Sequence, residues 1–390
     1  MKTYWFLFLI IFFSLACKRK NITNSNNTTK TTPFTSKADN KNIVDNKDLE
    51  KIDLDTKIGQ LIMVGINDRK SLPSNDTLRK ELSSGKIGGV ILFEKNIAKS
   101  NSKETLGKLI TDLKSEAAIS LFIGIDEEGG KVHRLKEKYG FVSMPSADYL
   151  GSLVNTDSTY YYAKRLANEL YELGFNLNFA PDIDVKLNPD NEIISKVGRS
   201  YSSDPEVVTS NSMAFIKAHH SENVKTTLKH FPGHGSSASD THKGIVDVTK
   251  QWQFKELIPY KKIIESGECD AIVSCHVINC HLDTTCVPST LSKIITTELL
   301  RDLLGFNGVV FSDDMQMYAI SKNYGLEQSI KMAINAGMDV FFGNNVNASD
   351  RISATEIHSI IKRLVENGDI SISRINEAFL RVMELKKKRY

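Results

Sequence analysis

From residue 50 onward, short apolar runs alternate with amphipathic stretches eight times over. The runs cover residues 61–66, 89–93, 121–125, 177–180, 226–229, 271–274, 309–312 and 340–342. They are nearly continuous in apolar character, as parallel strands covered on both faces require. Helical patterns separate them. Pro205 after Asp204 opens one at its first turn. Another covers 255–266, and a third includes Ile294, Leu299, Leu300 and Leu303. The last sets Ile375, Phe379, Val382 and Leu385 on one face. This order predicts an α/β fold, a single (β/α)8 TIM-type barrel over residues 50–390. A doubly wound sheet competes, but it more often has fewer strands. Polar residues sit just past the apolar runs: Asp126, Asp182, Asp184, His230, His276 and Asp313. Barrel active sites lie at that carboxyl-terminal rim, so several strands point to one central pocket.

The first fifty residues read differently. Residues 1–17 begin with Lys2 and run through nine apolar residues, Trp5 to Phe13, to Ser14-Leu15-Ala16-Cys17. Such a run suits a signal segment and is too short to span a bilayer. The order resembles a bacterial lipoprotein signal, which implies lipidation at Cys17, export and anchoring to a membrane, with the domain facing periplasm or exterior. Residues 18–49 are mostly Asn, Thr, Ser and Lys. They are expected to form a disordered polar tether, because they cannot bury enough apolar surface to offset ordering entropy. Residues 1–50 carry eight Lys/Arg against four Asp/Glu, and the remainder 42 against 43. A body so close to neutral argues against nucleic acid as a partner.

Cys269, Cys275, Cys280 and Cys286 lie within 18 residues, with His276 and His281 between them. No C-x-x-C pair occurs among them, so a structural zinc site is not expected. A Cys280–Cys286 loop disulfide and buried free thiols both remain open.

The densest chemistry is Lys229-His230-Phe231-Pro232-Gly233-His234-Gly235, followed by Asp240-Thr241-His242. Asp240 and His242 are two apart, so an extended loop can turn both side chains the same way. A carboxylate beside an imidazole fixes its tautomer and suits a proton donor near neutral pH. Asp313 and Asp314 follow the seventh run, and alternation lets only one face the barrel mouth. The stretch Asp126-Glu127-Glu128-Gly129-Gly130-Lys131 superficially suggests a phosphate loop, but its carboxylates repel phosphate. A rim carboxylate fits neighbouring sugar hydroxyls better, with Arg134 and Arg199 as candidate cationic donors.

These blocks, with Asn178-Phe179-Ala180-Pro181, Gly198-Arg199-Ser200, Pro288-Ser289-Thr290-Leu291-Ser292 and Ser312-Asp313-Asp314-Met315, resemble glycoside hydrolase family 3. Within it they resemble the single-domain β-N-acetylglucosaminidase branch. The resemblance implies Asp313 as nucleophile, and His242 as general acid/base oriented by Asp240. It implies that Asp126, Arg134, Arg199, Lys229 and His230 grip the non-reducing sugar, and that His234 shapes the loop. It departs from the family at Ser236, where family loops often have Asp, and at Lys243-Gly244-Ile245.

The implied activity is a retaining exo-β-N-acetylglucosaminidase that needs no cofactor and no metal. Its substrate would be a β-GlcNAc-terminated oligosaccharide or muropeptide, from cell-wall or chitin fragments, and a monomer is expected. A phosphorylase or β-glucosidase on the same site is the near alternative. A metal-dependent hydrolase using His230, His234, Asp240 and His242, or a glycan-binding lipoprotein with a retired site, is more distant.

Overall fold

A computed structural model describes residues 49–153, 155–343 and 352–390. The segment 1–17 with Cys17, and the stretch 18–48, lie outside the described residues.

The eight anticipated strands form one parallel sheet that closes on itself. We label them β1 (Ile62–Gly65), β2 (Gly89–Leu92), β3 (Phe122–Ile125), β4 (Leu177–Asn178), β5 (Lys225–Phe231), β6 (Ala271–Ser274), β7 (Val309–Ser312) and β8 (Phe341–Gly343). Neighbours pair in chain order, and β8 returns to β1 through Ile62↔Phe341. A parallel bridge from Phe311 to Val340 brings β7 beside β8 and completes the circuit. Helices follow the strands and start where short polar side chains cap them. Asp204 accepts from Glu206 N at 2.9 Å ahead of Pro205–Ser221, and Ser371 accepts from Arg374 N at 3.1 Å ahead of Ile372–Lys387.

Three expectations needed adjustment. The fourth strand stops at Asn178, short of residue 180. Pro181 lacks an N–H for the ladder, and the Asn178 side chain turns to the Glu127 backbone, at 3.0 and 2.9 Å. The helix expected over 255–266 starts as a 3-10 turn, Phe254–Leu257, before Ile258–Glu265, with Pro259 at the junction. A two-stranded ribbon, Val246–Asp247 with Val277–Ile278, was not anticipated. Strands of two residues leave no readable period.

The doubly covered sheet explains the unbroken apolar runs. Outward residues such as Val64, Val90, Ile123, Ile272 and Val310 pack under the helices. Inward residues form a second cluster that includes Met63, Ile91, Phe122, Phe179, Val273, Phe311 and Phe342. Phe311 meets Phe122 and Phe179 edge-on, at 5.9 and 5.2 Å between centroids. Gly124 is the inward position on β3 that makes room. A Cβ there would lie 2.8 Å from both Met63 Cε and Phe179 Cε2.

Candidate active site

The upper members of the inward cluster, Ile91, Phe179, Val273 and Phe342, form the apolar floor of a cavity of about 480 Å³ at the carboxyl-terminal rim. Its polar wall is Asp126, Glu128, Arg134, Arg199, Lys229, His230, His242 and Asp313, joined at the mouth by Phe93, Glu94 and Lys95. All five residues expected to grip a sugar line this one cavity, as do Asp313 and His242.

A charge network fills one side. Lys229 Nζ lies 2.8 Å from Asp126 Oδ1 and 2.6 Å from Glu128 Oε1. Arg199 reaches both oxygens of Glu128, and Arg134 Nη2 is 3.6 Å from Asp126 Oδ2. Burial alone would raise the Asp126 and Glu128 pKa values, but the flanking cations outweigh it and hold both below the carboxylate range. Buried charges are tolerable here because each is paired and hydrogen-bonded.

Glu128 is a cavity residue that sequence reasoning did not single out, although a signal existed. Alternation past β3 puts Asp126 and Glu128 on one side and Glu127 on the other. Glu127 indeed turns away. It is fully buried, accepts from Leu135 N at 2.7 Å and from Arg134 N, and pairs with His133 Nδ1 at 2.6 Å. It thereby shapes the loop that brings Arg134 to the cavity.

Two imidazole–carboxylate pairs flank the cavity, and they differ in kind. His230 Nδ1 lies 2.7 Å from Asp184 Oδ2, and Arg199 Nη2 donates to its Nε2 at 3.2 Å. Burial, with Arg199 beside it, pushes the His230 pKa down to about 4. This ring is neutral at pH 7 and both its nitrogens are engaged by protein groups, which does not suit it to give a proton. His242 stands on the loop after β5, half exposed. Its Nδ1 is 2.7 Å from Asp240 Oδ1, which also accepts the His242 backbone N–H at 2.8 Å. Burial raises the Asp240 pKa, but those contacts prevail and keep it low. His242 Nε2 is thus the nitrogen not committed to the carboxylate.

Asp313 follows β7. Burial raises its pKa, yet His276, His230, His242 and the Asp314 backbone N–H, at 2.8 Å, bring it below the usual carboxylate value. It is therefore ionised inside the cavity. Asp314 faces away, fully buried, and accepts from Gln316 N at 3.0 Å. His276 is structural: its Nε2 donates to Asp314 O at 3.0 Å and its Nδ1 faces Thr290 Oγ1 at 2.9 Å.

Other sequence readings resolve here. Cys280 and Cys286 are joined in a disulfide, while Cys269 and Cys275 are free thiols. His234 is buried, with Nδ1 on Ser237 Oγ at 2.7 Å, and braces the loop. The four residues of the metal-dependent alternative are not gathered into a ligand set. Among the described residues the one cluster with metal-like spacing is Asp182, Asp184 and His230. Arg199 Nη2 already lies 3.3 Å from Asp182 Oδ2, so a guanidinium stands where a cation would. Burial and the Asp184 charge push the Asp182 pKa above the usual carboxylate range, while Arg199 and His230 oppose the shift.

Fold and site together define a (β/α)8 barrel of the kind that carries enzymes, with a cavity of apolar floor and densely charged wall at its carboxyl-terminal rim. Comparison narrows the class. A sequence model of the Glycosyl hydrolase family 3 N terminal domain matches residues 53–385. The Beta-hexosaminidase of Tolumonas auensis is 35% identical over 275 residues, 69% of this chain and 79% of that protein. Beta-hexosaminidase A of Pseudoalteromonas piscicida is 30% identical over 80% of this chain, which spans only 55% of that protein. Among solved structures, a glycoside hydrolase family 3 beta-N-acetylglucosaminidase from Paenibacillus sp. str. FPU-7 superposes with a TM-score of 0.78 at 33% identity. The match covers 86% of this chain and 62% of that one. The chain belongs to glycosyl hydrolase family 3, as an enzyme of its β-hexosaminidase group.

Proposed function

We propose that this chain is an exported, lipid-anchored exo-β-N-acetylglucosaminidase that works with retention of configuration. The observation that carries the reading is the placement of Asp313 and His242 in one cavity, with the Asp240 carboxylate 2.7 Å behind the His242 ring. Asp313, held ionised, attacks the anomeric carbon and forms a glycosyl ester. His242 gives a proton from Nε2 to the departing oxygen, and Asp240 supports the cationic ring while it is charged. In the second step His242 takes a proton from water, which attacks the same carbon and frees Asp313. The Asp126, Glu128, Lys229, Arg199 and Arg134 network offers paired donors and acceptors for the hydroxyls of the terminal sugar. The β-hexosaminidase relatives support a 2-acetamido sugar at that position.

The experiment compares 4-nitrophenyl β-GlcNAc with the β-glucoside, with and without phosphate, following rate and product. Faster release from the GlcNAc glycoside, with free GlcNAc as product in both buffers, is expected. Equal or better turnover of the glucoside, or GlcNAc 1-phosphate as the main product, would overturn the reading.

A further inference from the structure

The loop bearing Asp240 and His242 leaves β5 at Pro232 and regains regular pairing at Val246. Its root is gripped on several sides. His234 N donates to Asp184 Oδ1 at 2.7 Å, Asn191 Nδ2 donates to His234 O at 2.8 Å, and Asn188 N donates to Gly235 O at 3.1 Å. Beyond Ser239 the hydrogen bonds are local, Lys243 N to Asp240 O at 3.0 Å and the Asp240–His242 pair, with one exposed ion pair from Lys243 to Glu192. The aim of His242 is therefore set at the root.

One root contact comes from outside these segments and has no part in the proposed chemistry. Glu256, on the turn Phe254–Leu257, is 1% exposed, and its Oε2 accepts from Gly235 N at 3.0 Å. A Cβ on Gly233 would lie 2.7 Å from Glu256 Oε2, and one on Gly235 would lie 1.9 Å from Val185 O. The backbone is thus wedged between a carboxyl and a carbonyl, and glycine alone fits. Ser236 lies against the same carboxyl, and its Oγ and Glu256 Oε1 are both buried without another hydrogen-bond partner. Ser236 is also the position at which this chain departs from the family's Asp. Burial, with the Asp184 charge added, pushes Glu256 up to about 8. A carboxyl that keeps its proton has one accepting and one donating oxygen. The loop meets this carboxyl through the Gly235 N–H and through the hydroxyl and backbone N–H of Ser236.

We infer that Glu256 is a positioning residue for proton transfer: it clamps Gly235 and Ser236 and thereby fixes how the loop presents His242 to the bond cleaved at Asp313. The inference rests on His242 being the acid/base. Glu256→Gln keeps shape, acceptor and donor, whereas Glu256→Leu keeps bulk and removes both. Each is assayed on a GlcNAc disaccharide and, by pre-steady-state release, on dinitrophenyl β-GlcNAc, beside His242→Ala and the double variant. Expected for Glu256→Leu is a kcat loss of at least about tenfold on the disaccharide, a share of the roughly 10²–10⁴-fold typical of general acid assistance. KM should stay within about twofold, and dinitrophenol release should change little. Glu256→Gln should resemble the original enzyme, and Leu should add little loss in the His242→Ala background. Ser236→Ala, a smaller change, should show a weaker loss with the same leaving-group dependence, and it decides the matter if the Leu variant does not fold. Equal losses on both substrates, or losses that multiply with His242→Ala, overturn the inference while leaving the acid/base assignment standing. If His242→Ala itself shows no leaving-group dependence, that assignment fails and the inference falls with it.

Discussion

Arg199 holds Glu128 by both carboxylate oxygens, Nε to Oε2 and Nη2 to Oε1, each at 2.8 Å. The planar fork matches a carboxylate in a way an ammonium cannot. Lys229 shares Oε1 at 2.6 Å, so one buried anion serves two cations. Glu128→Ala should take from Arg199 its bidentate partner and leave Lys229 with Asp126 alone. Removing one partner of a buried pair costs about 3–5 kcal/mol. Denaturant unfolding of that variant should show a loss of this order, and one under about 1 kcal/mol would contradict the account. Arg199→Lys should fold better but raise KM for the GlcNAc glycoside, since the fork and its contact to His230 are lost.

Asp313→Ala should block the first chemical step for every substrate. His242→Ala should be selective. General acid assistance is worth about 10²–10⁴-fold and matters most when the departing oxygen is basic. Disaccharide turnover should fall by that factor, while dinitrophenyl β-GlcNAc should still form the glycosyl enzyme and then stall, giving a burst. Azide should relieve the stall, because it attacks without losing a proton. Asp240→Asn should show a milder version, since the ring keeps its place but loses its charged partner. A folded Asp313→Ala protein with near-original turnover would remove the nucleophile assignment.

His219 gives a pH prediction for stability. Its ring is wholly buried, with Nδ1 facing Phe215 O and Nε2 facing Asn178 Nδ2, each at 3.0 Å. Burial holds its pKa down at about 3. The unfolded ring titrates near 6.5, so between those values only the unfolded chain takes up the proton. This contribution is fully present above about pH 6.5 and is lost as pH falls toward the folded value. By pH 4 the loss should reach roughly 3 kcal/mol. Any stability advantage of the original over His219→Gln should shrink by that amount between pH 7 and 4, read as paired denaturant midpoints. A gap that stays constant with pH would refute it.

Cys17→Ser tests the anchor. The original protein should fractionate with membranes through lipid on Cys17, and the variant should move to the soluble fraction. Unchanged membrane association would end the lipid-anchor proposal.

Much of this architecture was readable because parallel strands under helices must be apolar on both faces, which marks all eight in sequence. Asp126, Asp313, Lys229 and His230 were readable because a polar residue ending such a run has the rim as its outlet. Asp240 and His242 were readable because their pairing is local. Glu128 lay in plain view, two places past Asp126, but three consecutive carboxylates hide which ones share a side. Asp184 with His230, and Glu256 with Gly235, join residues 46 and 21 apart. Such pairings depend on how the loops after β4 and β5 lie together, and no local period encodes that. The short ribbon at Val246 escaped for the same reason.

The floor of the cavity consists of Ile91, Phe179, Val273 and Phe342, which are also the uppermost residues packed inside the barrel. On the proposed function, a sugar ring resting there would continue the stacking of the interior, like one more tier of side chains supplied from outside. Trimming Phe179 would then be felt twice, once as a void in the folded protein and once as a sunken seat for the ligand.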